Sequence, residues 1–529
     1  MSSKVVPTHT QVLVIGGGPA GSYSAAILAR EGFSVTLLEA QAFPRYHIGE
    51  SMLPSVRPFL RFIGADEKVA THGFCRKPGA AVKFQQSKQE GYTDFTSLAT
   101  QDPAWNVIRS EFDEILLRHA EELGALVYER HRVLEIQFAD DDASTLRPTS
   151  AVFSGPSGVQ GSISFDYLID ASGRTGMMST KYMKNRRMNS SLHNVASWGY
   201  WTGTNKYKPG TSRDNAPWFE ALTDGTGWAW FIPLHNGSVS VGVVSDQASD
   251  IAKRSLSSKD GRRLLLKEHY FSQLQLAPNL HMLLGDGVLI EEEQSTCVRS
   301  ASDFSYAADC YAGDHFRLVG DASAFIDPFF SSGVHLALSG ALSAATSISA
   351  AVRGDCSESD AACFHDQKIA VAYTRFLLVV MSAYKQIRSQ DIPILSDVNE
   401  DNFDRAFDIL RPVIQGTADI GKTLAEDELQ KTMDFCKHVF APTDPEMHAA
   451  VGARLGPELC SPLAPILTKE QIDAALPAGD KVARLVVKEI NARKAVHTMY
   501  TGPVHLSAES VNGLTARLEC GQLGLSRAL

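Results

Sequence analysis

The stretch QVLVIGGGPAGSYSAAILAREGFSVTLLEA, residues 11–40, constrains the fold more than any other part of the chain. Its apolar run Gln11–Ile15 predicts a buried strand, and Ser34–Glu39 predicts a second one. Between them, a glycine-rich turn leads into an alanine-rich helical segment. Because a strand, a helix and a strand in this order pack as a parallel pair covered by the helix, the chain is predicted to be an α/β protein.

The glycine spacing in this turn predicts a dinucleotide site. Gly16 permits the tight turn, Gly18 lets the backbone approach a pyrophosphate, and Gly21 lets helix and strand touch. Ala20 belongs to the same site, at the helix N-terminus whose free N–H groups suit phosphates. Glu39, which ends the second strand, is predicted to bind ribose hydroxyls. A glycine turn without a ligand is the alternative, but the complete strand–helix–strand unit favours the site.

Length, charge and cysteines narrow the class of protein. A chain of 529 residues predicts two or three packed modules. The formal net charge of −10 argues against a nucleic-acid partner, which needs a basic surface. None of the eight cysteines forms a CxxC pair, so no metal site is predicted. The N-terminus lacks a signal-peptide pattern and the apolar run from Phe376 is too short to span a bilayer, so we expect a cytoplasmic protein without a membrane partner.

Three later segments favour FAD over NAD. WNVIRSEFDEI places Arg109 at a helix start, FDYLIDASGR leads from a strand into Asp170–Arg174, and FRLVGDASAF leads from a strand into Gly320–Asp321. Together with the opening motif, this order resembles the FAD-dependent aromatic hydroxylase superfamily over residues 10–345. The resemblance implies that Arg109 contacts the FAD phosphates and that Asp321 holds the flavin ribityl chain.

The same resemblance implies the architecture. We expect a Rossmann-like, three-layer FAD-binding module with an inserted mixed β-sheet substrate module, together within residues 1–350, and a helical C-terminal region. The inserted sheet is expected at about 75–105 and 190–300. Residues 351–529 have a mostly helical pattern, as in VAYTRFLLVVMSAYKQI and NFDRAFDILRPVI, and are predicted to form a lid over the substrate.

A tryptophan pair lies in the segment GTGWAWFIP. On a strand, Trp228 and Trp230 face the same side and would form one aromatic wall. For two tryptophans considered alone, burial in a core is the more common role. The pattern WxWxIP, however, resembles a signature of the flavin-dependent halogenases, in which this bulk is thought to keep the organic substrate away from the flavin.

A lysine in GFCRKPGAAVKF is the candidate catalytic residue. A lone lysine is usually a solvated surface residue. Lys77, however, is surrounded by apolar residues, and burial lets a lysine act on its neighbours. The RKPGA context resembles the halogenase segment that carries the essential lysine. Lys83 is the local competitor, but its flanking sequence does not match that family.

The segment FIDPFFSSG fits a second halogenase signature, Phe325-x-x-Pro328-x-x-Ser331-x-Gly333. The helix that follows would direct free N–H groups and a positive partial charge at the loop, which suits either reduced flavin or a halide. In the family, the halide contacts the backbone N–H groups of the last two residues, here Ser332 and Gly333. Pro328 and Gly333 are also assigned to the flavin site. An ordinary flavin loop without a halide is the alternative.

One position in this loop departs from the tryptophan halogenases, which have a catalytic glutamate immediately before the Ser-x-Gly. Phe330 stands there and lines the active site, so the usual carboxylate partner of an indole is missing. A phenol is more electron-rich and needs less help, so Phe330 favours a phenolic substrate. The whole chain most resembles the fungal halogenases of polyketide pathways, including those that chlorinate resorcylic acid lactones of the radicicol type.

This resemblance implies an FADH₂-dependent enzyme that uses O₂ and chloride or bromide to make hypohalous acid. Lys77 would then hold the acid, or carry the halogen as a chloramine, and deliver it ortho to a phenol hydroxyl. No second nucleotide motif is present for NAD(P)H, which fits a separate flavin reductase as partner. His335 is interpreted as structural. An aromatic hydroxylase and a catalytically silent flavin-binding protein are the alternative functions.

Overall fold

The computed structural model of the protein describes residues 5–96, 103–139, 146–156, 158–256, 264–291, 297–388, 431–432, 435–436, 438–439, 441–496 and 502–527. Within these ranges the helices are numbered in chain order. They are α1 (Pro19–Arg30), α2 (Val56–Ile63), α3 (Asp66–Thr71), α4 (Arg109–Glu122), α5 (Gln247–Leu256), α6 (Leu266–Leu274), α7 (Pro278–Leu284), α8 (Gly333–Arg353), α9 (Glu358–Arg388), α10 (Pro445–Leu455), α11 (Pro457–Cys460), α12 (Lys469–Ala475), α13 (Lys481–Val496) and α14 (Pro503–Ala508).

The first sheet contains the opening strand–helix–strand unit. Its strands, in chain numbering, are β1 (His9–Ile15), β2 (Val35–Glu39), β7 (Leu126–Glu129), β8 (Arg132–Phe138), β9 (Pro148–Ser154), β10 (Gln160–Asp170), β17 (Ala312–Gly313) and β18 (Phe316–Leu318). The order is β17-β18-β10-β1-β2-β7, and β18, β10, β1, β2 and β7 run parallel. Strand β9 pairs antiparallel with β10, and β8 pairs antiparallel with β9. The central strands are buried on both faces, as in parallel sheets between helices.

The second sheet is mixed and forms the inserted module. Its strands are β4 (Gly79–Lys83), β5 (Gly91–Asp94), β11 (Arg186–Thr202), β12 (Trp218–Ala221), β13 (Gly227–Pro233), β14 (Val239–Asp246), β15 (Val288–Leu289) and β16 (Arg299–Ala308). The pair β4–β12 is parallel, and the other pairs are antiparallel. Two separate ladders are β3 (Cys75–Lys77) with β6 (Ala104–Asn106), and β19 (Leu514–Arg517) with β20 (Gly524–Arg527).

Helix α8 lies at the centre of the fold and positions the signature loop that precedes it. Its small residues let α1, α9 and β20 pack closely on it. A Cβ on Gly340 would lie 2.8 Å from Ile369 Cδ1, so the side chain of Ile369 in α9 packs directly over this glycine. Although α8 is long and apolar enough to cross a bilayer, 83% of its most apolar window is buried inside the protein.

The predicted α/β fold class, with its mixed inserted sheet and helical C-terminal region, is confirmed. The two opening strands lie within two residues of their predicted bounds, a normal variation at element ends. The segment from Val371 belongs to α9, whereas NFDRAFDILRPVI, residues 402–414, lies outside the described residues. The predicted division near residue 350 stays a prediction.

The chain ends in the β19–β20 hairpin, which the helical pattern did not predict. The buried carboxylate of Glu31 anchors it by accepting hydrogen bonds from the N–H groups of Gly521 at 2.9 Å and Leu523 at 3.1 Å. Arg353 Nη2 donates to the same carboxylate at 3.0 Å. The hairpin therefore fastens the C-terminal end of the described chain to helix α8.

We expect Glu31→Gln to lower the free energy of unfolding by about 2–3 kcal/mol, because it leaves Arg353 and a backbone N–H without an anionic partner in a buried place. Thermal denaturation followed by circular dichroism measures the effect. The control is Glu122→Gln, whose carboxylate is 59% exposed and pairs with Lys68 at the surface. Equal melting temperatures for the two variants would contradict the anchoring role.

Candidate active site

The glycine turn has the close approaches that its spacing predicts. A Cβ on Gly21 would lie 1.9 Å from Gly16 O, so helix α1 contacts the turn directly. Gly16 has φ +103°, which favours glycine. Ala20 packs against Gly320, so the turn meets the later Gly-Asp pair. A Cβ on Gly18 would meet only Arg45 Nη2, at 3.2 Å, so the remaining side of the turn is open.

Glu39 and Arg45 flank this open side. The carboxylate of Glu39 accepts hydrogen bonds from Gly17 N–H at 2.6 Å and Gln41 N–H at 2.7 Å. Each oxygen keeps a second lone pair for a ribose hydroxyl. The sequence motif did not identify Arg45, whose guanidinium beside Gly18 is suited to a pyrophosphate.

Arg109 has its guanidinium bonded within the protein. Its Nε and Nη2 donate to Asp113 at 2.8 and 3.0 Å, and its Nη1 donates to the Ile48 carbonyl at 2.9 Å. Arg45 Nη1 also donates to Asp113, at 3.1 Å. Arg109 thus fixes the segment 45–51, while its contact with FAD phosphates stays a prediction.

The positive charges of Arg109, Arg174 and Arg186 act on the carboxyl group of Asp321. Burial raises the pKa of Asp321, and these arginines oppose the rise. Its backbone carbonyl accepts a hydrogen bond from Tyr306 OH at 2.6 Å, which fixes the turn at the end of β18.

Lys77 is buried, and its ammonium group is bonded to the segment that Arg109 holds. Lys77 Nζ donates to Ser51 Oγ at 2.7 Å and to the Met52 carbonyl at 2.8 Å. Strand β6 brings these groups together, because it pairs with β3 on one side and with residues 50–52 on the other. Ser51 Oγ also accepts from Ser331 Oγ at 3.1 Å. One serine therefore links the lysine to the signature loop.

Burial lowers the pKa of Lys77 to about 7. The competitor Lys83 lies in β4, where its Nζ donates to the Lys88 carbonyl at 2.8 Å. Among the described contacts, Lys77 alone of the two is linked to the signature loop.

The signature loop ends at the N-terminus of α8. Ser331 has φ +55°, Ser332 is the N-cap residue, and Gly333 is the first helical residue. At these positions no carbonyl of the helix accepts from the N–H groups of Ser332 and Gly333. Ser332 Oγ is buried without a hydrogen-bond partner in the described part of the chain. Among the described residues, no atom lies within 4 Å of a Cβ placed on Gly333, whereas Pro328 is exposed.

The tryptophan pair lies on β13 with both rings buried, and the ring centroids of Trp228 and Trp230 are 5.7 Å apart. Trp228 contacts Phe329 of the signature loop edge-to-face, with centroids 5.1 Å apart. Trp230 fills the space above Gly242, where a Cβ would lie 2.2 Å from its ring. Trp228 therefore lies directly against the signature loop, and Trp230 packs beside it on the strand.

Phe330 and His335 both point into aromatic surroundings. The Phe330 ring lies 6.0 Å from Phe376 of α9 and 6.3 Å from Phe435. His335 packs between Phe59 and Phe376, and its Nδ1 lies 2.8 Å from Ser55 Oγ. Burial lowers the pKa of His335 to about 3, so the ring is neutral near pH 7. Its contacts are aromatic packing and one hydrogen bond, which fits a structural role.

The comparisons with known proteins agree on the family. The FAD binding domain family matches residues 9–374. Flavin-dependent halogenase armH4 of Armillaria mellea is 68% identical over 529 residues, 99% of either chain. Sulochrin halogenase gedL of Aspergillus terreus is 44% identical over 99% of this chain and 94% of the relative. The crystal structure of CmlS, a flavin-dependent halogenase, superposes with a TM-score of 0.64 at 28% identity, covering 76% of this chain and 70% of that one.

The chain belongs to the flavin-dependent halogenases. The predicted family and the predicted use of FAD and a halide are confirmed, and an enzyme of this family is neither an aromatic hydroxylase nor a silent binding protein. The residues fit FAD, since the glycine turn is open beside Gly18 and the nearby Glu39 carboxylate keeps lone pairs for a ribose.

Sequence reasoning missed two residues of this site, Ser51 and Glu50. Both follow the opening motif in HIGES, which has no periodic pattern to mark it. Tyr200 OH donates to Glu50 Oε1 at 2.6 Å. Burial raises the pKa of Glu50 to about 7, although this hydrogen bond acts to lower it. Glu50, whose carboxyl group has a pKa near 7, therefore directly precedes Ser51, the hydrogen-bond partner of the Lys77 amine.

Replacement of Lys77 by methionine tests its burial. Between pH 7 and 10 the folded halogenase binds fewer protons at Lys77 than the unfolded chain does, so its stability rises with pH over this range. Each unit of pKa difference corresponds to about 1.4 kcal/mol. We expect Lys77→Met to melt above the wild type at pH 6.5, with the gap narrowing towards pH 9.5. Differential scanning fluorimetry measures both melting temperatures, and a gap that widens with pH would contradict the buried amine.

Proposed function

We propose that this halogenase takes FADH₂ from a separate flavin reductase and halogenates an electron-rich phenol ortho to its hydroxyl group. When bound, the reduced flavin supplies two electrons and two protons, so that one O₂, one halide and one further proton give hypohalous acid and water. The observation that carries the proposal is the buried Lys77, joined through Ser51 to Ser331 of the signature loop.

The N-terminus of α8 is the proposed halide site. The N–H groups of Ser332 and Gly333 have no acceptor within the helix, and the helix dipole adds positive partial charge there. A chloride or bromide ion needs donors and no acceptor, which this backbone supplies. The open space beside Gly333 leaves room for an ion of either size.

The proposed role of Lys77 follows from its bonding. In its neutral form the amine has two N–H groups, and the Ser51 hydroxyl and the Met52 carbonyl accept both. The nitrogen lone pair is then left for an electrophilic halogen. Because the pKa of Lys77 is about 7, both the neutral form and the hydrogen-bonding ammonium form exist near neutral pH. Holding the lysine in one geometry selects one ring carbon of the substrate.

The proposed substrate is a phenolic polyketide. Phe330, at the position of the catalytic glutamate in tryptophan halogenases, is packed against Phe376 and Phe435, so the surroundings are apolar. A relative that is 44% identical is named for sulochrin, which supports a substrate of this kind. The reductase partner and a cytoplasmic location stay predictions.

The test is product mass. The protein is given FADH₂, O₂, bromide or chloride and a resorcinol-type phenol, and we expect a product in which one hydrogen is replaced by halogen. Lys77→Ala should lose this product by about 100-fold or more while still binding FAD. Lys83→Ala is the matched control and should retain activity. Halogenation that persists in Lys77→Ala would exclude the lysine, and a product that gains only oxygen would exclude halogenation of this phenol.

A further inference from the structure

The hydroxyl group of Tyr384 in α9 joins three elements of the protein. It accepts hydrogen bonds from Trp228 Nε1 at 2.9 Å and from Asn194 Nδ2 at 2.8 Å, and donates to Asp327 Oδ2 at 2.6 Å. All four side chains are buried. The tryptophan of β13, the asparagine of β11 and the aspartate of the signature loop are thus bonded through one oxygen atom.

Asp327 in turn fixes the start of the signature loop. Its backbone N–H donates to Ser305 Oγ at 2.9 Å, and its Oδ1 accepts from Phe329 N–H at 3.0 Å. Asn194 Nδ2 donates to Oδ2 at 3.0 Å. Hydrogen bonds to a buried carboxylate are strong and directional, so the position of this carboxylate sets the position of the turn that follows it. Five residues later the chain reaches Ser332.

We propose that Asp327 and Tyr384 are positioning residues for the halide site, and that Trp228 acts on this site through its indole N–H and not only through its bulk. The inference rests on the proposed halide role of Ser332 and Gly333. Helix α9 thereby becomes part of the halide site, although none of its residues touches the ion.

Trp228 and Trp230 then have different roles. Trp230 Nε1 donates to Ser240 Oγ at 3.1 Å, on the neighbouring strand β14, whereas Trp228 Nε1 reaches the signature loop through Tyr384. If bulk alone mattered, Tyr384→Phe, which keeps both tryptophan rings, would leave halide binding unchanged. If the connection through the N–H matters, the same change weakens halide binding because the acceptor of Trp228 Nε1 is lost.

The chain offers a matched control. Tyr270 is also a buried tyrosine, and its hydroxyl accepts from Trp201 Nε1 at 2.9 Å and donates to the Val241 carbonyl at 2.9 Å. It belongs to a different hydrophobic cluster from Tyr384. Tyr270→Phe therefore removes the same kind of hydroxyl group, which also accepts from an indole N–H, without touching the signature loop.

The first measurement is halide affinity of the FAD-loaded protein, from quenching or shift of flavin fluorescence during bromide titration, because it needs no turnover. We expect Tyr384→Phe and Trp228→Phe each to raise the halide dissociation constant about tenfold. The double variant should be little weaker than either single one, since both changes break the same connection. Tyr270→Phe should stay within about twofold of the wild type.

The second measurement separates positioning from general destabilisation. In turnover assays of Tyr384→Phe, the halide KM should rise while kcat at saturating halide and the FAD dissociation constant stay within about twofold of the wild type. If FAD affinity falls in parallel with halide affinity, or if Tyr384→Phe behaves like Tyr270→Phe, the proposal is overturned. If Tyr384→Phe does not fold, Trp228→Phe supplies the comparison of halide affinity with FAD affinity. A wild type that binds bromide but halogenates no phenol would refute the proposed function and leave this inference standing.

Discussion

The buried ion pair of Arg109 with Asp113 is the interaction on which the candidate site depends. Its remaining donor holds the Ile48 carbonyl, and Arg45 shares the same aspartate. The segment 45–51 is fixed as a result, and this segment carries Ser51, the partner of Lys77. A buried charge that loses its partner costs several kcal/mol, so separation of the pair is strongly disfavoured. The position of Lys77 therefore depends on Arg109, which begins α4 and lies 32 residues further along the chain.

The parts of the fold that the sequence predicts well are those with local causes. Glycine spacing, strand periodicity and the helix after the signature loop act over a few residues, and the structure has each of them. The contact between Lys77 and Ser51 spans 26 residues and that between Trp228 and Tyr384 spans 156. No spacing rule encodes such pairs. Resemblance to a family located Lys77 and Trp228, but not the residues that hold them.

Burial of Lys77 destabilises the folded protein and favours the neutral amine that the proposed reaction needs. Removal of its charge from water lowers the pKa of Lys77. The lower pKa reduces the free energy of unfolding at neutral pH, and it is also the reason why part of the amine is neutral there. Two acceptors, Ser51 Oγ and the Met52 carbonyl, reduce the cost without supplying a counter-charge. A carboxylate at that place would raise the pKa of the amine and remove the lone pair.

The same argument explains Phe330. Beside Phe376 and Phe435, a glutamate side chain at this half-buried position would lose part of its hydration, which would raise its pKa. A neutral carboxyl group assists an arene poorly as a base. A substrate that carries its own acidic hydroxyl does not need the group, because ionisation of the phenol supplies the electron density that the arene requires. The aromatic packing around Phe330 therefore supports the proposed phenolic substrate.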